Sequence, residues 1–274
     1  MKFIVSDKNK KDVFVSIFLV LKNCTSTISC IFEEELLHIQ GMDKSHICLF
    51  DIKLKKEWFD EYTIPEKKII SFDSNIFYSI ISTKSESQSI IFKMETDNED
   101  TLFIDFISNE EKEEKEVKKE KKTKKKFETK QFKKSFKLPL TENEYEELNI
   151  PSKEYDAEFT LSSNQINDIL NQMNNFGSDI IIQCSEENIY LTTNGVTGEM
   201  RVQIPIDDVS SYSIVEGEET ILTYSLIYLN KMCITNKLSE EIDFSLSNEC
   251  PMKIVYSLGE DSLIAFYMAP KVSE

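Results

Sequence analysis

Leu36-Leu37-His38-Ile39-Gln40-Gly41-Met42-Asp43-Lys44-Ser45-His46-Ile47-Cys48-Leu49-Phe50 reads as strand, tight turn, strand. Upstream, residues 27–32 form a partner strand, split from it by the acidic turn Glu33-Glu34-Glu35. Residues 1–6 open the chain as a strand, and residues 8–23 carry Val13, Ile17, Val20 and Leu21 at helical spacing. Downstream, residues 67–72 read as a strand. Residues 74–83 read as a short helix with Ile76, Phe77, Ile80 and Ile81 on one face. Residues 89–95 and 101–108 alternate as a hairpin around Asp97-Asn98-Glu99-Asp100.

The second half repeats this order. A strand at 156–161 leads into a helix at 162–175, with Ser162 or Ser163 as N-cap and Ile166, Ile169, Leu170 and Met173 apolar. Residues 179–185 and 188–193 make a hairpin, and 198–205 extends the sheet. A strand at 219–222, a helix at 225–235 and a meander over 242–246, 252–258 and 262–269 complete it. Each half is strand, helix, strands, helix, strands. The expectation is an internal duplication and an α+β fold, two similar domains with two short helices each packed on antiparallel sheets.

The chain has 274 residues, 40% hydrophobic, which suits two compact domains of roughly 120–140 residues. It contains no uncharged apolar window of about 18 residues and no signal-like N-terminal run, so neither a membrane span nor a leader is expected. The six cysteines, Cys24, Cys30, Cys48, Cys184, Cys233 and Cys250, show no CxxC spacing and read as free thiols. The formal net charge is −17, unlike the basic footprint of a simple nucleic-acid binder. Residues 110–137 nonetheless hold thirteen lysines and seven glutamates. The low-complexity part, 109–130, is too poor in apolar groups to offset its ordering entropy and reads as a solvated loop. The run Lys121-Lys122-Thr123-Lys124-Lys125-Lys126 also suits a tethered basic arm or a nuclear localisation signal. An acidic body repels phosphates at long range. A protein of this charge could hold to DNA only by topology, by a local basic face or through a partner.

Together with the C-terminal run Tyr267-Met268-Ala269-Pro270-Lys271, the 36–50 stretch resembles the sliding clamps of the proliferating cell nuclear antigen family. The likeness covers nearly the whole chain apart from the lysine-rich insertion, which is much longer than the family's usual loop. It implies an N-terminal clamp domain at 1–137, an interdomain connector at 138–155 and a C-terminal clamp domain at 156–274. It further implies a hydrophobic pocket for partner peptides with three walls. Met42, His46, Ile47 and Leu49 supply one, Leu148, Ile150 and Pro151 of the connector another, and Pro251, Tyr267, Ala269 and Pro270 the third. Gln40 and the backbone near Ala269 are polar contacts on this reading. Apolar anchors inside a polar rim suit a peptide that must bind and leave.

The resemblance also implies a head-to-tail homotrimer with double-stranded DNA through the ring, a DNA polymerase and other peptide-bearing proteins as partners, and a clamp loader. Its place of action is the nucleus, or a cytoplasmic replication site for a viral member; abundant Lys, Ile and Asn suit an AT-rich viral or parasitic genome. The edge strands that would pair are 131–138, with Phe132 and Phe136, and the one around 198–203, with Glu199 and Arg201. The DNA-facing candidates are Lys8, Lys10, Lys11, Lys22, Lys84, Lys231 and Lys237. Here the chain departs from the family, because Ser79, Ser82, Asp168, Asn171, Ile227 and Ile234 stand where basic residues are expected. That keeps open a checkpoint-type clamp subunit or a non-trimeric clamp-like factor. A nuclease is the reading from another class. It needs convergent carboxylates, whereas the acidic clusters sit at turns and the two histidines, His38 and His46, have no spaced partners. No catalytic residue, metal or cofactor is expected.

Overall fold

The computed structural model describes residues 1–95, 97–108, 132–151 and 153–271. The lysine-rich segment 109–130 lies outside the described residues. The first half runs β1 (Lys2–Val5), α1 (Lys8–Cys24), β2 (Thr27–Phe32), β3 (Leu36–Met42), β4 (Cys48–Lys55), a 3-10 turn (Lys56–Trp58), β5 (Glu61–Thr63), β6 (Lys68–Asp73), α2 (Ser74–Ile81), β7 (Gln88–Glu95), β8 (Asn98–Ser108) and β9 (Lys134–Pro139). The second runs β10 (Ala157–Ser162), α3 (Ser163–Met173), β11 (Asp179–Cys184), β12 (Asn188–Gly195), β13 (Gly198–Pro205), a 3-10 turn (Ile206–Asp208), β14 (Ser211–Ile214), β15 (Thr220–Ser225), α4 (Leu226–Met232), β16 (Glu241–Leu246), β17 (Met252–Gly259) and β18 (Ser262–Met268). Among the described residues the halves match element for element.

The packing repeats as well. Phe3 on β1 lies opposite Phe92 on β7, and the rings stack at 4.4 Å. Phe159 on β10 lies opposite Phe244 on β16, stacked at 5.1 Å. The rows continue through Ile104 to Phe136 in one half and through Ile254 to Phe266 in the other. Large apolar side chains recur at one register because each must cover the same underside of a pleated sheet.

The first half forms a five-stranded sheet, β5-β1-β7-β8-β9, and four strands ordered β4-β3-β2-β6. The second forms the corresponding β14-β10-β16-β17-β18 and β13-β12-β11-β15. Antiparallel pairing of β18 with β4, Phe266 opposite Phe50, fuses two of these into one nine-stranded sheet. The domains expected at 1–137 and 156–274 therefore share a sheet, and their buried apolar residues form one continuous cluster.

The four helices among the described residues pack in a row: α1 packs on α2, α3 on α4, and α1 meets α4 across the halves. Asp7 caps α1 by accepting from the Lys10 amide at 2.9 Å, and Asp73 caps α2 by accepting from the Ile76 amide at 2.9 Å. Ser162 begins α3 without a side-chain cap, while the Ser163 hydroxyl donates to the Ser239 carbonyl at 2.6 Å.

Several expected bounds move. The strand expected at 131–138 is β9, Lys134–Pro139, reaching into the span assigned to the connector. The second-half helix expected at 225–235 stops at Met232. Strands β5 and β14 have no counterpart in the sequence reading, because they are three and four residues long and are held by pairing to β1 and β10.

Candidate partner-binding site

The turn between β3 and β4 is organised by one carboxylate. Asp43 is 5% exposed. Its Oδ1 accepts from the amides of Ile47 at 2.8 Å and Cys48 at 2.7 Å, and its Oδ2 from Ser45 at 2.8 Å. The Tyr228 hydroxyl of α4 donates to the same Oδ2 at 3.2 Å. Burial pushes this carboxyl up, but the amides of Cys48, Ser45 and Ile47 and the tyrosine hydroxyl outweigh it and hold Asp43 below the usual carboxylate range. His46 adopts a left-handed φ of 55° and is exposed. Gly41 faces Phe50 so closely that a Cβ would come within 2.7 Å of the ring.

The C-terminal segment lies beside this turn. Tyr267 pairs with Leu49 and Met268 with Cys48. The Ala269 amide donates to the Ile47 carbonyl at 3.2 Å, and the Lys271 amide to the Thr223 carbonyl at 2.7 Å. Two stretches more than two hundred residues apart thus form one surface. Met42, Ile47, Leu49, Tyr267 and Pro270 are half-buried there, and His46, Pro251 and Ala269 are exposed. Their strand neighbours Phe50, Met252 and Met268 are fully buried. Of the half-buried residues, Ile47 packs against the chain's own core.

The connector crosses the outer face of β3. Gln40 donates to the Leu148 carbonyl at 3.0 Å and accepts from the Leu148 amide at 2.7 Å. Further back, the Thr141 amide donates to the Ser71 carbonyl and the Asn143 side chain to Ser29 Oγ, both at 2.8 Å. Leu148 and Ile150 are half-buried and Pro151 is exposed. Between connector and sheet lies a cleft of about 560 Å³ lined by Glu33, His38, Gln40, Asp51, Lys53 and residues 147–150, among others. It shares Gln40, Leu148 and Ile150 with the residues expected to contact a peptide. Gln40 is engaged with the connector. His38 Nε2 lies 2.6 Å from Asp51 Oδ1, and Lys53 Nζ lies 3.1 Å from Asp51 Oδ2. Burial raises the Asp51 carboxyl, and His38 and Lys53 outweigh it to bring it below its ordinary range.

The lysines divide. Lys11 is corrected: it is fully buried, donating to the carbonyls of Glu86 and Gln88 at 2.6 Å each and of Ser85 at 3.4 Å. It braces α1 against the loop before β7 and faces no ligand. Lys84 is paired with Asp12, and Lys8 with Glu86 at 3.0 Å. Lys10 lies 5.8 Å over Trp58. Lys22 lies 4.0 Å over Tyr78 and Lys231 4.8 Å over Tyr228. Lys237 is exposed. Lys22 and Lys231 share a crevice of about 280 Å³ with Lys44, which sequence reasoning did not select because its turn meets α4 only in the folded chain. Phe132 is 81% exposed, Phe136 is half-buried, and Glu199 and Arg201 are exposed on β13.

All six cysteines are free. Among the described residues, no three His, Cys, Asp or Glu side chains gather as metal ligands. No helix there is long and apolar enough to cross a membrane.

Two matched α+β halves that share a sheet and carry an outer connector make up the DNA clamp fold. Residues 7–128 match the family model "Proliferating cell nuclear antigen, N-terminal domain", and residues 149–271 match "Proliferating cell nuclear antigen, C-terminal domain". The chain is similar to proliferating cell nuclear antigen 2 of Plasmodium falciparum, 24% identical over 95% of this chain and 96% of the relative. It is also similar to the proliferating cell nuclear antigen of Chaetomium thermophilum, 26% identical over 86% and 85%. This chain belongs to the proliferating cell nuclear antigen family of sliding clamps.

Proposed function

We propose that this chain works as a homotrimeric sliding clamp that raises DNA polymerase processivity and docks peptide-bearing partners, with no chemistry of its own. The observation that carries the reading is the β18–β4 junction. β9 holds the place of β18 and β13 that of β4, and both are sheet edges. Exposed edges favour pairing. The same junction repeated between copies pairs β9 of one with β13 of the next. A heterologous contact of this kind closes as a ring when its rotation divides the circle.

Double-stranded DNA passes through the ring past the helix layer. Lys22, Lys44 and Lys231 offer cations to its phosphates, while the acidic body discourages binding from outside. Partner peptides lay apolar anchors between the β3–β4 turn, the connector and the 267–270 segment. A loader opens the ring. Two measurements test the reading: solution mass, expected at three times 31.9 kDa, and polymerase run length on primed DNA with a loader, expected to rise. A monomer that leaves run length unchanged contradicts it.

One observation favours a second reading, a subunit of a mixed or checkpoint-type ring. Lys11 is buried and Lys84 is neutralised, so the helix layer holds fewer free cations than the sequence suggests. Assembly only with a different clamp chain is the outcome this reading expects.

A further inference from the structure

We infer that Phe132 of one copy seats in a groove beside β13 of the next, and that this contact, resting on the head-to-tail reading above, is a main anchor of the ring. The inference starts from the junction inside the chain. There Phe266 faces Phe50. β4 ends at Lys55 before the turn Lys56–Trp58, and β13 ends at Pro205 before the turn Ile206–Asp208. Phe50 therefore corresponds to Met200, Leu54 to Ile204, and Trp58 to Asp208. The matched rows equate Phe266 with Phe136 and, four residues earlier, Ser262 with Phe132. Transferring the internal register places Phe136 opposite Met200 of the next copy and Phe132 opposite its Ile204.

Side-chain volumes at the two junctions are exchanged. Inside the chain, Trp58 is 1% exposed and packs on Phe14 of α1 and on Phe59. The residue facing that corner is the small Ser262, whose hydroxyl accepts from the Lys55 amide at 2.9 Å. At the matching corner of the second half Asp208 replaces the tryptophan. A groove of about 360 Å³ opens there, with Leu161, Ile169, Val202 and Ile204 in its lining and Asp208 and Asp168 beside them. The residue that would face this groove is the large Phe132.

Phe132 is held ready. Its carbonyl accepts from Gln88 Nε2 at 2.9 Å, and Gln88 is fully buried, so the backbone is pinned while the ring stays 81% exposed. Continued two residues before the start of β9 at Lys134, the two-residue period of a strand would set Phe132 on the face of Phe136 and Leu138. In β13 the residues on the corresponding inward face are Met200, Val202 and Ile204. Large against small inside the chain becomes small against large between copies, so the occupant of the groove is a second copy of this chain.

Dilution of the full chain, followed by sedimentation or light scattering, tests the inference. Phe132→Ala should raise the concentration at which the ring half-dissociates by about thirtyfold, the effect of truncating an interface anchor. The monomer's melting temperature should not change. Asp208→Trp fills the groove from its own side and should also weaken assembly; combined with Phe132→Ala it should recover part of the loss. A wild-type trimer whose Phe132→Ala variant dissociates at the same concentration overturns the inference and leaves the ring standing. A wild type that never trimerises overturns both.

Discussion

The side-chain amide of Gln40 makes both hydrogen bonds to Leu148 that a neighbouring strand would make, at 2.7 and 3.0 Å and across 108 residues of sequence. Residues 140–151 have no strand ladder of their own, so the connector's place above β3 depends on such side-chain clasps.

Replacing Gln40 with alanine removes both bonds and should free the connector without unfolding the sheet. Two half-buried hydrogen bonds are worth about 1–3 kcal/mol together. Binding of a clamp-binding peptide should fall roughly tenfold in fluorescence polarisation, with faster amide exchange at 146–150. Unchanged exchange there would show that the clasp does not hold the connector.

Leu148 and Tyr267 stand on different walls of the surface and are both half-buried. Truncating both to alanine should weaken peptide capture by about a hundredfold, since anchors in an interface commonly cost more than 1 kcal/mol each. Circular dichroism should not change. Undiminished capture of a polymerase tail peptide would remove this surface from consideration.

In the proposed head-to-tail ring, the transferred register would set Lys137 opposite Glu199 of the next copy, where the internal junction has Tyr267 opposite Leu49. Lys137→Glu should place like charges together and destabilise each contact by about 1 kcal/mol, less at high salt. Adding Glu199→Lys should restore assembly. A double variant no better than the singles argues for a different register.

Lys11 and Lys22 both lie on α1 but should behave differently. Lys11→Met strands carbonyls that now accept from a buried ammonium and should cost about 2–4 kcal/mol of stability in urea unfolding. Lys22→Ala should change stability by less than about 0.5 kcal/mol and shorten the residence of the loaded clamp on DNA. Equal stability losses would place Lys22 in the core framework as well.

Asp43 links the turn to pH. Its folded carboxyl lies below the usual range, with burial opposing and the amide and tyrosine donors prevailing. The folded state therefore binds this proton less readily than the unfolded chain. The stabilisation is complete above the unfolded value of about 3.9 and is lost as pH falls through the folded value. Asp43→Asn should lower the urea midpoint at pH 7, and the gap to wild type should narrow below about pH 4. A gap that stays constant into acid assigns the effect to shape and not to charge.

Much of the architecture was legible in the chain. The strand–turn–strand of 36–50 is β3 and β4, and the repeated order of elements is the observed duplication, because alternation and helical spacing are local properties. The short strands β5 and β14 are not legible there because three or four residues carry no period. The place of Lys11 is hidden for a related reason. A lysine among Lys8 and Lys10 reads as solvated, and only the loop before β7 shows it three carbonyls.

The amino-acid order alone determined the two halves, most of their strands and helices, and the wording of the 36–50 and 267–271 segments. Tertiary structure decided which side chains those segments leave uncovered, how β18 joins β4, and why Gln40 holds Leu148. Those outcomes depend on contacts between residues distant in sequence. Such contacts form only when sheets stack and a buried polar atom must find whichever partner the packing brings near.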